Sequence, residues 1–185
     1  MTAPPFRSLK TARLRLRRFT ATDLLAFLAY RNDPEIARYQ SWETITERAA
    51  RAFISELRLL QPGTPGSGFQ FAIALKTTDA LIGDCMLYVR ADEPRQGEIG
   101  YSLARAHQHQ GYAAEAIRAV LAYAFETLHL HRITATVDCR NTPSIRLLER
   151  VGMRREGHFL QHAWYKGEWC DEYLYALLRS EWPGA

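Results

Sequence analysis

The sequence predicts an α/β domain with a mixed, mostly antiparallel sheet, and three observations carry that prediction. Apolar residues alternate on both sides of the polar residues 77–79, which is typical of an antiparallel hairpin. Residues 113–128 repeat apolar side chains at the helical period, and residues 133–137 then alternate as a strand does. Such a helix returns its chain to the sheet by a right-handed crossover, which makes the new strand parallel to the preceding one. An aromatic-rich tail around Lys166 and Gly167 predicts a closing hairpin.

Composition indicates one globular domain. The chain has 185 residues, 47% of them apolar and 24% charged, and no stretch resembles a linker, so we predict a single domain over residues 1–185. The longest apolar run, residues 119–125, is too short to cross a bilayer, and the first residues do not resemble a signal peptide. We therefore expect a cytoplasmic protein without a membrane partner.

Charge and cysteine content exclude several further classes. The net charge of +4 comes without a basic block, which favours acidic ligands over nucleic acid. Cys85, Cys139 and Cys170 lack the paired spacing of a disulfide framework or zinc site, so we interpret them as reduced thiols. His129 and His131 are two residues apart, a weak metal-binding arrangement, and we expect no metal. The sequence is compatible with a monomer or a homodimer.

The N-terminal half reads as a strand followed by two helices. Residues 13–19, RLRLRRF, alternate Arg and Leu as a strand does, and Thr20 with Asp23 matches a capping box that opens a short helix. A second match, TITE at residues 44–47, precedes an amphipathic helix. Its apolar positions are Ala50, Phe53, Ile54, Leu57 and Leu60. The run QPGTPGSG at residues 61–68 ends this helix and predicts a mobile surface loop.

The segment AHQHQGYAAEA at residues 106–116 enters the clearest helix without an acidic or hydroxyl cap. It follows EIGYSL at residues 98–103, which predicts a third central strand. Neither GxGxxG nor GxxxxGK[ST] is present, so neither hydride transfer nor nucleotide hydrolysis is indicated. A strand, a short turn and a helix N-terminus nevertheless direct backbone N–H groups towards an anion. Gly111 and Ala113 leave this entrance free of bulk, and the missing cap leaves N–H donors for a ligand.

A second, shorter helix follows the crossover strand. Asn141 and Thr142 can cap it, Pro143 suits its first position and Gly152 suits its end.

The pattern Gln108-x-x-Gly111-x-Ala113 resembles the Q/R-x-x-G-x-G/A motif of the GCN5-related N-acetyltransferase (GNAT) superfamily, which binds the pyrophosphate of acetyl-coenzyme A. The order of strands and helices around it resembles that fold over nearly the whole chain. The resemblance thus implies a twisted sheet with helices on both faces. EIGYSL, NTPSIRLLERVGM, GHFLQHAWYKGEW and DEYLYALLRSEW are similar to the RimJ/RimL-type branch, whose named members acetylate N-terminal amines of ribosomal proteins.

For the cofactor, the resemblance implies that amides of residues 109–114 hold the pyrophosphate. It also implies that the strand at residues 101–103 pairs with the pantetheine arm and that Asn141 binds through its side-chain amide. The implied cofactor-binding residues are Tyr101, Ser102, Leu103, Gln108, His109, Gln110, Gly111, Tyr112, Ala113, Ala114 and Asn141. A simple helix cap is the alternative role for Asn141.

For catalysis, the resemblance implies direct attack of a primary amine on the thioester of acetyl-coenzyme A. The Asn-x-x-Ser pattern places the Ser144 hydroxyl near the thioester sulfur, and Leu148 stands where many members of the superfamily have a tyrosine acid. Glu98 is the implied base, acting through a water. The alternatives are an ion pair or strand-end role for Glu98 and simple helix-start chemistry for Ser144.

The acceptor is left open between a protein N-terminus and a small molecule such as a polyamine or aminoglycoside, and an acyl-coenzyme A sensor without turnover is the non-enzymatic alternative. His162, Asp171 and Glu172 could contact an acceptor or simply lie on an exposed strand face. Trp42 and the 61–68 loop are further specificity candidates. The tail aromatics are interpreted as core and hairpin packing, and they are Trp164, Tyr165, Trp169 and Tyr173.

Overall fold

The computed structural model describes residues 6–183. Its strands are β1 (Ser8–Lys10), β2 (Leu14–Arg17), β3 (Gly68–Leu75), β4 (Leu81–Val89), β5 (Gln96–Leu103), β6 (Arg132–Asp138), β7 (Arg154–Tyr165) and β8 (Glu168–Leu178). Its α-helices are α1 (Leu24–Arg31), α2 (Pro34–Ala37), α3 (Glu47–Leu57), α4 (Tyr112–Ala122) and α5 (Thr142–Arg150).

The strands form one sheet in the order β1-β2-β3-β4-β5-β6-β8-β7. Neighbouring strands are antiparallel except β5 and β6, which are parallel because α4 carries the chain back between them. The predicted mixed, mostly antiparallel sheet and its parallel crossover are confirmed.

Helices cover both faces of the sheet, as predicted. Alternate residues of β3 point to opposite faces, so Phe71 packs in a core with Ile117 of α4, and Ala72 packs in a second core with Phe27 of α1 and Ile54 of α3. The first core also takes in α5, through Leu148.

The two parallel strands join at one end only. Register pairs connect Gln96–Glu98 of β5 to Arg132–Thr134 of β6, and the Thr134 hydroxyl donates to the Gly97 carbonyl at 3.2 Å. Beyond these pairs, within the described part of the chain, β5 pairs with β4 and β6 pairs with β8. The strands therefore diverge towards their carboxyl ends and leave a gap in the sheet.

The structure differs from the N-terminal predictions at two places and adds a contact at a third. Strand β1 was missed, and it pairs with β2. The capping box at residues 44–47 is wrong, because α3 begins at Glu47 and its cap is Thr46, whose hydroxyl accepts the Ala49 N–H at 3.3 Å. The loop at residues 61–68 is tied to β4 by the Gly66 N–H donating to the Val89 carbonyl at 2.8 Å. The mobility that its composition predicts stays a prediction.

The C-terminal half follows the prediction closely. Asn141 caps α5, although Pro143 occupies its second position, and Gly152 follows the helix with a φ of 97°. Lys166 and Gly167, with φ of 51° and 83°, form the turn between β7 and β8.

Two tail aromatics show the hairpin packing that the sequence predicts, but they do not lie in the core. Trp164 and Trp169 pack against each other across the hairpin, with ring centroids 5.3 Å apart, but they are 57% and 56% exposed. They are hairpin residues outside the core.

Candidate active site

The entrance to α4 combines two left-handed residues with an absent side-chain cap. His109 and Gly111 have φ of 60° and 81°, and Gly111 occupies the cap position without a side-chain hydrogen bond. Glycine adopts this conformation at little cost, which explains its place here. The uncapped entrance that the sequence predicts is confirmed.

The N–H groups of residues 109–114 have no hydrogen-bond acceptor among residues 6–183. The Gln108 N–H donates to the Arg105 carbonyl, and Glu115 is the first residue of α4 whose N–H bonds back to the Gly111 carbonyl, at 3.1 Å. A helix N-terminus also carries a partial positive charge from its aligned peptide dipoles. This segment is therefore built to receive a multiply charged anion.

Two glutamine side chains fix the backbone conformation of the segment before α4. Gln108 Nε2 donates to the Leu103 carbonyl and Gln110 Nε2 to the Ala106 carbonyl, both at 2.9 Å. The two glutamines thus stabilise the loop, and the N–H groups of the main chain remain for a ligand.

A second support comes from Arg13, in the turn between β1 and β2, and was missed by sequence reasoning. Arg13 donates to the Gln110 carbonyl at 2.9 Å, pairs with Glu115 at 2.7 Å and lies 4.3 Å from the centre of the Tyr112 ring. Arg13 and Glu115 lie about a hundred residues apart in the chain, so no local pattern could indicate their pairing.

A cavity of about 640 Å³ opens beside this segment, between the diverging end of β5, the start of α4 and the start of α5. It brings together most of the predicted site: Tyr101, Ser102, Leu103, Gln108, His109, Gly111, Tyr112, Ala113, Ala114, Asn141 and Ser144. Gln110 does not line it, because its side chain and carbonyl are used in the loop. Glu98 does not line it either.

Ser144 and Tyr101 meet inside the cavity wall. Their hydroxyl oxygens are 2.7 Å apart, and the Asn141 Oδ1 accepts the Ser144 N–H at 3.2 Å. Burial raises the pKa of Tyr101, so its phenol stays protonated near neutral pH. Leu148, at the position of the superfamily tyrosine, is 1% exposed in the core. The structure supplies a different phenol, from β5, next to Ser144.

Glu98 lies on the other face of the sheet. Residues of β5 alternate in direction, and Glu98 sits opposite Tyr88, whereas Tyr101 sits opposite Cys85. Burial raises the pKa of Glu98, the negative charge of Glu172 raises it further and Arg90 lowers it. A carboxylate in this state binds a proton more readily than an exposed glutamate does.

Of the three hairpin residues considered as acceptor contacts, His162 and Glu172 lie together and Asp171 lies apart. Glu172 is 6% exposed and accepts hydrogen bonds from Tyr165 and, in the fitting tautomer, from His162. Asp171 points elsewhere and accepts the Gln161 N–H at 2.8 Å. Glu172 is thus a buried group on the face of Glu98, and Asp171 is not.

The outer wall of the cavity comes from α2 and the residues after it, namely Glu35, Ile36, Arg38, Tyr39 and Gln40. The hairpin turn reaches the same wall, because Lys166 donates to the Ala37 carbonyl. Asp33 followed by Pro34 is a helix-start pattern that could have predicted α2, since Asp33 caps it. Trp42 does not line the cavity; its indole lies 3.9 Å from the Arg31 guanidinium.

Comparisons with known proteins agree with this geometry. The profile described as "Acetyltransferase (GNAT) domain" matches residues 13–154. The protein belongs to the GNAT acetyltransferase family. An uncharacterized N-acetyltransferase of Bacillus subtilis, YnaD, is 37% identical over 172 residues, which are 93% of this chain and 97% of the relative. The chain is thus an N-acetyltransferase of the GNAT type.

Two further relatives extend the GNAT comparison. A GNAT-family acetyltransferase from Bacillus anthracis superposes with a TM-score of 0.84 at 34% identity, covering 94% of this chain and 99% of that one. The [ribosomal protein uS5]-alanine N-acetyltransferase of Escherichia coli is 37% identical over 87 residues, 46% of this chain and 45% of its own length. Over that part of the chain, the resemblance to RimJ/RimL-type enzymes holds.

The described residues also contain no group of three or more His, Cys, Asp or Glu side chains that could hold a metal ion. Within the same residues, no helix is both long and apolar enough to cross a membrane.

Proposed function

We propose that the protein transfers an acetyl group from acetyl-coenzyme A to a primary amine, and that the acceptor is the N-terminal amine of a protein. The observation that carries the donor is the run of free N–H groups at residues 109–114, open to a cavity of about 640 Å³. A pyrophosphate offers the acceptor oxygens that this run needs, and the cavity suits an extended chain along β5.

Two observations support a protein N-terminus as the acceptor: the named target of a relative, and the gap in the sheet through which an amine can approach. The uS5-alanine N-acetyltransferase resembles this chain at 37% identity over 87 residues, and an N-terminal alanine amine is its named target. The gap between β5 and β6 gives an amine access from the face of Glu98 while the donor occupies the face of Tyr101.

Glu98 serves as the base. Acetyl-coenzyme A supplies a thioester whose carbonyl carbon an uncharged amine can attack, but an amine is mostly protonated near neutral pH. Glu98 takes a proton from the ammonium form, directly or through a water, so that the neutral amine can form the new C–N bond; the second proton that the nitrogen gives up passes to water. Its raised pKa makes Glu98 a stronger base. The same shift means that, as the pH falls, Glu98 becomes protonated at a higher pH than an exposed glutamate does.

Ser144 stabilises the departing sulfur. As the C–S bond breaks, the electron pair stays on sulfur. The Ser144 hydroxyl donates a hydrogen bond to the resulting thiolate. The Tyr101 and Ser144 hydroxyls are 2.7 Å apart, and either can donate to the other. Tyr101 stays protonated, so it can donate to Ser144 Oγ during the reaction, which leaves the serine proton free to point into the cavity. The base and the acid thus act from opposite faces of the gap.

The test is a thiol-release assay with acetyl-coenzyme A and a panel of amines. The panel contains a peptide with a free N-terminal alanine, the same peptide with a blocked N-terminus, spermidine and an aminoglycoside. We expect thiol release with the free peptide and none with the blocked one. Release with the small amines alone would contradict the acceptor, and coenzyme A binding without release for any amine would identify a sensor instead of an enzyme.

A further inference from the structure

Glu172 is a buried carboxylate that the reaction described above does not use. It lies on β8, 6% exposed, with Tyr165 Oη 3.3 Å from one carboxylate oxygen and His162 Nδ1 2.8 Å from the other. Both partners come from β7, the neighbouring strand. Two hydrogen bonds on one buried carboxylate fix its position closely.

The register of the sheet places Glu172 and Glu98 on the same face. Glu98 is opposite Thr134 of β6, Asp138 lies four residues further along β6, and Asp138 is opposite Glu172. The two carboxylates therefore face the same side of the gap between β5 and β6. Burial raises the pKa of the Tyr165 phenol, and the negative charges of Glu172 and, more weakly, Glu98 raise it further.

The cations of this region are engaged by other acids. Arg140 pairs with Asp138 at 2.7 Å and with Glu168 at 2.7 Å, and Arg90 pairs with Asp92. The charged and titratable groups facing these two carboxylates are Tyr88, Arg90, Asp138, Arg140, Tyr165, His162, Glu168 and Cys170. Among the described residues, neither Glu98 nor Glu172 forms an ion pair with an arginine or lysine.

We propose that Glu172, held in place by His162 and Tyr165, is a positioning residue that keeps the Glu98 carboxylate ready to take a proton from the acceptor amine. This proposal rests on the proposed function. Glu172 acts through Glu98: its negative charge favours the protonated form of Glu98 and so makes it a stronger base. No bond to Glu172 forms or breaks in the reaction.

The test is a carbon NMR titration of the Glu98 carboxyl group in protein labelled at glutamate, with the signal assigned by its loss in Glu98→Gln. Glu172→Gln keeps the hydrogen-bond acceptor and removes the charge, and we expect the Glu98 midpoint to fall by about half a unit to one unit. Glu172→Asp keeps the charge but moves it further from Glu98. The Glu98 midpoint in this variant should therefore lie between those of the parent and Glu172→Gln. Glu168→Gln removes a charge from the same strand that Arg140 already pairs, and it should leave the midpoint in place.

The pH profile of kcat/KM gives the functional readout. In Glu172→Gln the acid limb should move to lower pH by the same amount as the NMR midpoint. A purely structural role for Glu172 would lower the rate at every pH and leave the limb where it was.

The outcomes separate the two proposals. An unmoved or raised Glu98 midpoint in Glu172→Gln overturns the role of Glu172, even if the protein acetylates amines. A lowered midpoint in a protein that releases no thiol with any amine contradicts the proposed function, and with it the role given to Glu172.

Discussion

The two sides of the site are built differently. The proposed donor side is a single stretch of main chain, residues 109–114, whose N–H groups have no acceptor among the described residues and lie at a helix N-terminus. The proposed acceptor side is made of side chains from distant elements: Glu98 on β5, Glu172 on β8, His162 on β7 and the outer wall at α2 and the residues after it. A main-chain site requires a particular local conformation, so glycine and an absent cap mark it in the sequence, whereas a side-chain site leaves no local mark.

The largest expected effect is on the donor side. Gly111→Glu brings a negative charge and a side chain to the free N–H groups, and it should weaken coenzyme A binding by about a hundredfold. Gly152→Glu is the matched control, because Gly152 has a φ of 97° with open space around it and lies outside the cavity. Equal loss in both variants, measured by calorimetry, would indicate backbone strain instead of a lost anion site.

The next effect belongs to the acceptor side. Glu98→Gln should lower kcat/KM by about a hundredfold near neutral pH and leave coenzyme A affinity unchanged. The difference in kcat/KM between this variant and the parent should shrink as the pH rises, because the amine then loses its proton without a base. Glu93→Gln, the same substitution at a half-buried turn residue outside the cavity, should match the parent in the same pH profile. A parent-like profile for Glu98→Gln would remove Glu98 as the base.

A smaller effect is expected where the two sides meet. Ser144→Ala and Tyr101→Phe should each lower kcat by about tenfold, with coenzyme A affinity retained. Because the two hydroxyls share one hydrogen bond, the double variant should lose little more than either single variant. Fully additive losses in the double-mutant cycle would show that the hydroxyls act independently.

The smallest effect is expected at the outer wall. Asp33 pairs with the exposed Arg105 at 3.0 Å and so links α2 to the segment after β5. Asp33→Asn keeps the cap of α2 but weakens this pair, and it should raise the acceptor KM by about twofold. Glu47→Gln disrupts a comparable exposed pair with Arg51 away from the cavity and should change nothing.

The sheet, the crossover and the uncapped entrance to α4 could be predicted from the sequence, because each depends on a local period or a local conformation. Sequence reasoning failed where several local solutions were equally good: Thr44 and Thr46 both suit a helix cap, and only the start of α3 at Glu47 decides between them. It also missed contacts between distant residues, such as Arg13 with Glu115 and Tyr101 with Ser144. The role of Glu172 depends on the β6–β8 register, which no local pattern encodes.

The separation of the two sides is tested most directly by measuring the dissociation constant of coenzyme A for Gly111→Glu and Glu98→Gln in one calorimetric series. The predicted result is a loss of about a hundredfold for Gly111→Glu and the parent value for Glu98→Gln. Parent affinity in Gly111→Glu, or an equal loss in both variants, would contradict a donor site formed by the main chain of residues 109–114.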